Sequence, residues 1–144
     1  MRVHQILKDK AEQGVITIPA TASVAEAATL LSEKRIGSIV VSSDGTALDG
    51  ILSERDIVRE LGRRGPGCMS DSVDALMTKA IVSCSPSDDT VDVLQKMSDG
   101  RFRHMPVVED GKMVGLISIG DVVKARLAQL AMEKDALEGM IMGH

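Results

Sequence analysis

Apolar and polar positions follow nearly the same order in the two halves of the chain. A shift of about 67 residues places "VITIPATASVAEAATLL" (15–31) over "VSCSPSDDTVDVLQKMS" (82–98), as expected for an internal repeat. Three further pairs match: "SIVV" (38–41) with "MPVV" (105–108), "GILSERDIV" (50–58) with "GLISIGDVV" (115–123), and "VHQILKDK" (3–10) with "VDALMTKA" (73–80). This pattern indicates two copies of one supersecondary unit.

Each copy predicts the same series of elements. A short apolar strand (15–18 or 81–83) precedes a helix, for which Ser23 and Thr90 are the predicted N-caps. Two β-branched strands follow, joined at the turn signals "SDG" and "EDG", and a second helix begins after the motif serine. The order is therefore β-α-β-β-α, twice, which predicts an α+β (α/β) fold.

The predicted organisation has four parts. The first repeat with its lead-in takes residues 1–64, a Gly-rich linker takes 65–72, the second repeat takes 73–127, and a C-terminal helix and tail take 128–144. One repeat alone buries too little surface to be stable, so we expect the two to pack sheet to sheet around a shared core. Several tail residues are spaced for one face of an amphipathic helix, which we expect to cover the module or a second subunit: Leu127, Leu130, Ala131, Leu137 and Met140.

Composition excludes several classes of function. A net charge of −4 and a single aromatic residue, Phe102, argue against a nucleic-acid-binding protein. Cys68 and Cys84 lack metal-ligand spacing, so no metal site is predicted; Cys84 is expected in the core and Cys68 exposed in the linker. No apolar run reaches the roughly 20 residues of a membrane span, and the N-terminus lacks a signal-peptide core, so we expect a soluble, cytoplasmic protein without membrane partners.

The repeated β-α-β-β-α unit, its G-h-h-S-x-x-D ending (h, apolar) and "RHMPVV" resemble the CBS domain, named after cystathionine β-synthase. Two such domains in tandem form a Bateman module. The resemblance implies two pseudo-twofold-related repeats, a homodimer, and a regulatory module without catalytic residues or a catalytic cofactor. Its implied ligands are adenosine-containing molecules such as AMP, ATP or NAD(H), and its signal would pass to an unidentified partner protein.

The S-x-x-D motif has two interpretations. Taken alone, it is a helix-capping pattern, because the serine and the acidic residue can each hydrogen-bond the other's backbone amide. The resemblance adds that Asp56 and Asp121 bind ribose hydroxyls, with Ser53 and Ser118 beside the phosphate at a helix N-terminus.

The resemblance also implies the rest of two unequal sites, each combining both repeats. The adenine-binding candidates are Ile16, Thr17, Ser38, Ile39, Ser83, Cys84, Met105 and Pro106. Phosphate would be bound by Arg55, Arg103 and His104, with Arg59 and Arg101 as further candidates. The Asp56 site would include Arg103 and His104, whereas the first repeat has Ile36 and Gly37 at the aligned positions. The plain alternative is that the strand residues are core and the arginines are solvated.

Other functions remain as alternatives. The leading one is a structural or protein-interaction module that binds no ligand. An enzyme is disfavoured, because the sequence contains no nucleophile–base pair, no paired catalytic carboxylates and no metal-ligand cluster.

Overall fold

The computed structural model describes residues 1–10 and 14–142, which form two compact units. Unit 1 comprises Met1–Gly14, Ser83–Glu109 and Gly115–His144, and unit 2 comprises Val15–Val82 and Asp110–Val114. The elements are α1 (Val3–Asp9), β1 (Thr17–Ile18), α2 (Val24–Lys34), β2 (Ser38–Val41), β3 (Gly50–Ser53), α3 (Glu54–Arg64), a 3-10 helix (Pro66–Ser70), α4 (Val73–Leu76), α5 (Thr90–Gly100), β4 (His104–Glu109), β5 (Lys112–Ser118) and α6 (Ile119–Met142). The predicted α+β class and the C-terminal helix are confirmed.

Unit 2 is built on a three-stranded sheet. β1 runs parallel to β2, with Thr17 opposite Val40, and β2 pairs antiparallel with β3, with Ile39 opposite Leu52. All four residues of β2 are buried, as expected for a central strand covered on both faces. The strand packs with buried residues of α2, α3 and α4, so the sheet and these helices share one core.

Unit 1 has the same plan but lacks the first strand. The strand predicted at 81–83 is wrong: a single parallel bridge joins Cys84 to Val107 in its place. Cys84 donates its N–H to the Pro106 carbonyl and accepts from Val108. The next ladder bond toward Val82 would need an N–H on Pro106, which proline does not have. The ladder therefore ends after one bridge.

The lead-in of each repeat packs against the other repeat. In unit 1, Val3 N–H donates to the Asp88 carbonyl at 3.0 Å, beside the start of α5. In unit 2, Val73 N–H donates to the Ala22 carbonyl at 2.8 Å, beside the start of α2. The lead-in of the first repeat therefore precedes that repeat in sequence but lies in the compact unit that contains most of the second.

The repeated glycine of the motif makes room for these lead-ins. A Cβ on Gly50 would overlap the Met77 side chain, and a Cβ on Gly115 would overlap that of Leu7. Met77 follows α4 and Leu7 lies in α1, so the same position in each repeat receives the lead-in of the other.

Two local expectations are corrected by the structure. Cys68 is buried, not exposed, because the linker folds into the 3-10 helix and packs against α2 and α3. Thr90 is not the N-cap of α5: Asp89 caps it by accepting from Val91 N–H at 2.8 Å. Ser23 caps α2 as predicted.

The last helix, α6, is long and largely exposed. It has 24 residues, of which Val122 alone is fully buried. No helix in the described part of the chain is long and apolar enough to cross a membrane. The final two residues of the predicted tail lie outside the described residues.

Candidate functional site

Both S-x-x-D motifs form capping boxes at the starts of α3 and α6. Ser53 N–H donates to Asp56 Oδ2 at 2.9 Å, and Asp56 N–H donates to Ser53 Oγ at 3.2 Å. Ser118 and Asp121 repeat the exchange at 2.8 and 3.0 Å. Each helix start is therefore stabilised by the motif, and in each box the backbone bond goes to the Oδ2 atom of the carboxylate.

In each unit, a carbonyl from the residue just before β2 or β4 accepts a hydrogen bond from the first amide of the helix that carries the motif. The Gly37 carbonyl accepts from Glu54 N–H at 2.9 Å, and the Arg103 carbonyl accepts from Ile119 N–H at 2.7 Å. With the first and third amides satisfied, the second amide of each helix, that of Arg55 or Gly120, has no acceptor within residues 1–10 and 14–142. An N–H at a helix N-terminus is a suitable donor to a phosphate.

Each motif carboxylate also contacts a cation. Asp56 is largely buried and pairs through Oδ1 with Arg59, which lies one turn along α3 and is mostly exposed. Asp121 pairs with Lys10, whose Nζ lies 2.7 Å from Oδ2 and 3.1 Å from the Leu116 carbonyl. Burial would raise the pKa of Asp121, but the hydrogen bonds from Lys10 and Ser118 outweigh it and lower the pKa below its ordinary value.

Lys10 was not predicted as a site residue. It is separated from Asp121 by more than one hundred positions, and the fold brings them together because the lead-in of the first repeat packs in unit 1. A sequence signal did exist: "VHQILKDK" ends in lysine where the aligned "VDALMTKA" ends in alanine.

The predicted phosphate-binding side chains differ in their surroundings. Arg55 and Arg103 are exposed, and His104 is half-buried at the start of β4. Arg101 takes the left-handed conformation that ends α5, with φ 56°. Arg103 and His104 belong to the same unit as Asp121, and the carbonyl of Arg103 caps the helix that carries this aspartate.

Several adenine candidates are core residues. Ile39 belongs to the core of unit 2, and Met105 and Cys84 belong to the core of unit 1. Burial, with a smaller effect of Asp88, raises the pKa of the Cys84 thiol to about 11, so this cysteine is an inert core residue at neutral pH.

The remaining adenine candidates are either closer to the surface than these core residues or part of a strand. Ser83 is exposed, Ile16 and Thr17 are half-buried, and Ser38 and Pro106 are buried strand residues. Backbone groups are the main polar atoms that such strands offer to a base edge.

Comparison with known proteins decides the family. The family model for the CBS domain matches residues 7–63 and 73–128. The chain belongs to the CBS-domain family. Each CBS match includes one S-x-x-D capping box, and the second match ends within the first half of α6, so the exposed end of this helix lies beyond the family match.

Solved structures of CBS proteins show the same fold. A CBS-domain protein from Agrobacterium tumefaciens is 40% identical, with a TM-score of 0.82 over 88% of this chain and 99% of the other. A CBS domain protein from Pyrobaculum aerophilum, solved in complex with AMP, is 27% identical, with a TM-score of 0.77 over 92% of this chain and 99% of the other.

A curated CBS relative is longer than this chain. The mitochondrial CBS domain-containing protein CBSX3 of Arabidopsis thaliana is 34% identical over 125 residues, which are 84% of this chain and 61% of that protein. The chain therefore spans about three fifths of the length of this relative.

The described residues contain no group of three or more side chains suited to hold a metal ion. The polar groups at the two helix starts are instead carboxylates, hydroxyls, amides and cations, which suit a ligand with hydroxyl and anionic groups.

Proposed function

We propose that this CBS pair is a regulatory module that binds an adenosine-containing ligand. The observation that most supports this proposal is the duplicated capping box, in which a fixed carboxylate, a serine hydroxyl and a helix N-terminal amide lie together. The AMP complex of the Pyrobaculum relative supports this class of ligand. AMP, ATP and NAD(H) all contain the required ribose and phosphate.

The ribose would bind at Asp56 or Asp121. A carboxylate can accept from both hydroxyls of a ribose, and in this protein each carboxylate is already held in place by a serine N–H. A ribose at these carboxylates would compete with Arg59 for Asp56 and with Lys10 for Asp121. The displaced cation then remains near the bound nucleotide, where it can attract its phosphate.

The phosphate would bind at the helix starts. Ser53 and Ser118 supply hydroxyls, and Arg55, Arg103 and His104 supply donors or positive charge. The adenine would contact the predicted strand positions, of which Thr17 and Ser83 have the more accessible side chains.

The output would pass to a partner protein. A ligand shifts a conformational or dimer equilibrium only by the difference in its affinity for the two states. We propose that the protein acts as a homodimer in the cytoplasm. This function involves no catalytic step, no catalytic cofactor and no nucleic-acid partner. The alternative is a protein-interaction module in which the two motifs serve only as helix caps, which their geometry fully explains.

Calorimetric titration with AMP, ATP, NAD, NADH and S-adenosylmethionine tests the proposal. Asp56→Asn and Asp121→Asn are the informative variants, because an asparagine oxygen can still accept the serine N–H while the charge is lost. We expect micromolar binding of at least one nucleotide and a loss of roughly tenfold or more in affinity when its ribose carboxylate is replaced, since hydrogen bonds to a charged group contribute about 1.5–3 kcal/mol.

Asp92→Asn is the matched control, because Asp92 is an exposed acidic residue in the first turn of α5 and belongs to no S-x-x-D motif. The Asp92→Asn variant should bind each nucleotide with the same affinity as the wild type. Absence of heat and of a thermal shift with every nucleotide would reject the sensor function and favour the interaction module.

A further inference from the structure

An apolar stripe runs along the exposed side of α6. Its apolar members are 40–74% exposed: Val123, Leu127, Leu130, Leu137 and Ile141. Together with Lys134 they are spaced by four, three, four, three and four residues. This is the spacing of the a and d positions of a coiled coil. We refer to these six positions as the α6 stripe.

We propose that the α6 stripe pairs with the α6 stripe of a second copy of this chain, in antiparallel orientation. The stripe extends from Val123 to Ile141, and these 18 steps of 1.5 Å make about 27 Å of helix. Two such surfaces related by a twofold axis would bury each other, as an interface between identical subunits requires. The proposal does not depend on ligand binding.

The antiparallel register follows from overlap of the whole stripe. When the two helices overlap from end to end, Val123 lies level with Ile141 of the second copy, Leu127 with Leu137, and Leu130 with Lys134. The lysine then lies beside a leucine and can extend its ammonium group to solvent.

Charges beside the stripe favour this register. Lys124 and Glu138 both flank the stripe at e positions, and in the antiparallel register each lies opposite the other on the second copy, twice per dimer. Such flanking pairs set partner choice and orientation in coiled coils. The two Glu133 side chains approach each other near the axis, with the Lys134 ammonium groups of both copies beside them.

A parallel pairing is disfavoured by the same residues. A parallel pairing would place Lys134 against Lys134 of the second copy in the core of the interface. It would also place Glu133 opposite Glu138 on both sides, which is repulsive. The charge pattern therefore distinguishes the two orientations.

A membrane surface is a poorer match than a second copy. Helices that lie on anionic membranes carry Lys or Arg on their polar face. Over the length of the stripe, from Val123 to Ile141, α6 carries three basic and three acidic side chains, so it has no net positive charge. Binding to anionic vesicles by the wild type at physiological salt, in place of self-association, would overturn the proposal.

Sedimentation equilibrium of the full chain tests the pairing. We expect a reversible dimer, and we expect Leu137→Glu to weaken it by roughly tenfold or more, because it places a charge against Leu127 of the second copy in an apolar layer. The matched control is Met132→Glu, since Met132 is 65% exposed but lies off the stripe. A monomeric wild type, or equal effects of the two variants, would overturn the proposal.

Charge exchange tests the orientation. Lys124→Glu and Glu138→Lys should each weaken the dimer, and the double variant should restore it; failure of the double variant to restore it would contradict the antiparallel pairing. In the antiparallel dimer, Ala131 lies close to Ala131 of the second copy across the twofold axis. Ala131→Cys should therefore form an intermolecular disulfide more readily than Met132→Cys. Cys68 and Cys84 are buried, so the wild type gives the background. Equal crosslinking of the two variants would also count against the arrangement.

Discussion

The carboxylates at the starts of α3 and α6 share one backbone geometry but differ in the origin of their cation. Asp56 pairs with Arg59 of its own helix, three residues away, and that arginine is 67% exposed. Asp121 pairs with Lys10, which comes from the opposite end of the chain and is 28% exposed. One pair is therefore local, and the other forms only when the lead-in has packed in unit 1.

This difference shows how a duplicated motif acquires two unequal sites. The capping box depends on residues within the motif, so duplication preserves it. The cation depends on what packs nearby, so it can change in one repeat alone. On the proposed function, a ligand at Asp56 competes with a flexible surface arginine, whereas a ligand at Asp121 competes with a partly buried lysine held by two acceptors.

The motif glycines provide the largest expected contrast between the units. In Gly50→Ala the new Cβ overlaps Met77 and lies 3.2 Å from the Thr78 carbonyl, which is held by paired hydrogen bonds with Ile51. In Gly115→Ala it meets only the end of the Leu7 side chain, which can move. We expect the free energy of unfolding to fall by about 1–3 kcal/mol in the first variant and by about 1 kcal/mol or less in the second, measured by urea denaturation.

Equal losses for the two glycine variants would show that the two lead-ins are packed with the same tightness. Met77→Ala combined with Gly50→Ala is the control, since removal of the overlapping side chain should recover part of the loss.

The helix caps provide a smaller contrast. Ser23 accepts from Glu26 N–H at 3.1 Å, so Ser23→Ala should lower the free energy of unfolding by about 1 kcal/mol. The Thr90 hydroxyl is buried and has no hydrogen-bond partner among the described residues, so Thr90→Val should change stability by less than about 0.5 kcal/mol or increase it slightly. Chemical denaturation of both variants measures this.

Asp89→Ala is the matched variant for α5, because Asp89 is the residue that caps it. A large loss in Thr90→Val with none in Asp89→Ala would contradict the capping that the structure shows.

The Lys10–Asp121 pair should have a small effect on stability, and this effect should depend on pH in a specific way. Because the pKa of Asp121 is lowered by folding, its contribution is complete above the unfolded value of 3.8 and is lost as the pH falls through the folded pKa. Lys10→Met should cost about 0.5–1 kcal/mol at pH 7 and much less at pH 2, measured as urea unfolding at both values.

Arg59→Met is the control for the local pair, and it should cost about 0.5 kcal/mol or less, since an exposed pair on one helix contributes little. A Lys10→Met loss that stays the same at pH 2 would assign the effect to packing of the lysine stem instead of to the ion pair.

The fold was largely predictable from the duplicated pattern, because local signals suffice for most of its elements. "SIVV" is a buried strand, Ser23 caps α2, and each S-x-x-D begins a helix, as expected from β-branching and capping chemistry. Family membership followed from the same repeat. The errors arose where another segment decides the outcome: the missing N–H of Pro106 ends a strand that residues 81–83 alone would favour.

The site was less predictable than the fold, for a physical reason. Asp56 and Asp121 could be chosen from their motif, but their cations could not, because an ion pair depends on distance in space and leaves little trace in sequence order. Lys10 is the clearest example. Cys68 is another, since its Gly-rich surroundings indicate exposure while the 3-10 helix places it in the interior. The ligand contacts of the named residues remain predictions.

The exchange of lead-ins also affects the order in which the two units can fold while the chain is being synthesised. Unit 2 can assemble most of its core once Val73 and Met77 have left the ribosome, because its own strands and helices precede them. Helix α1 is made well before its partners around Asp88, Gly115 and Asp121. The nascent chain must therefore carry α1 unpaired until these later segments have been made, so unit 1 can close only after most of unit 2 has been synthesised.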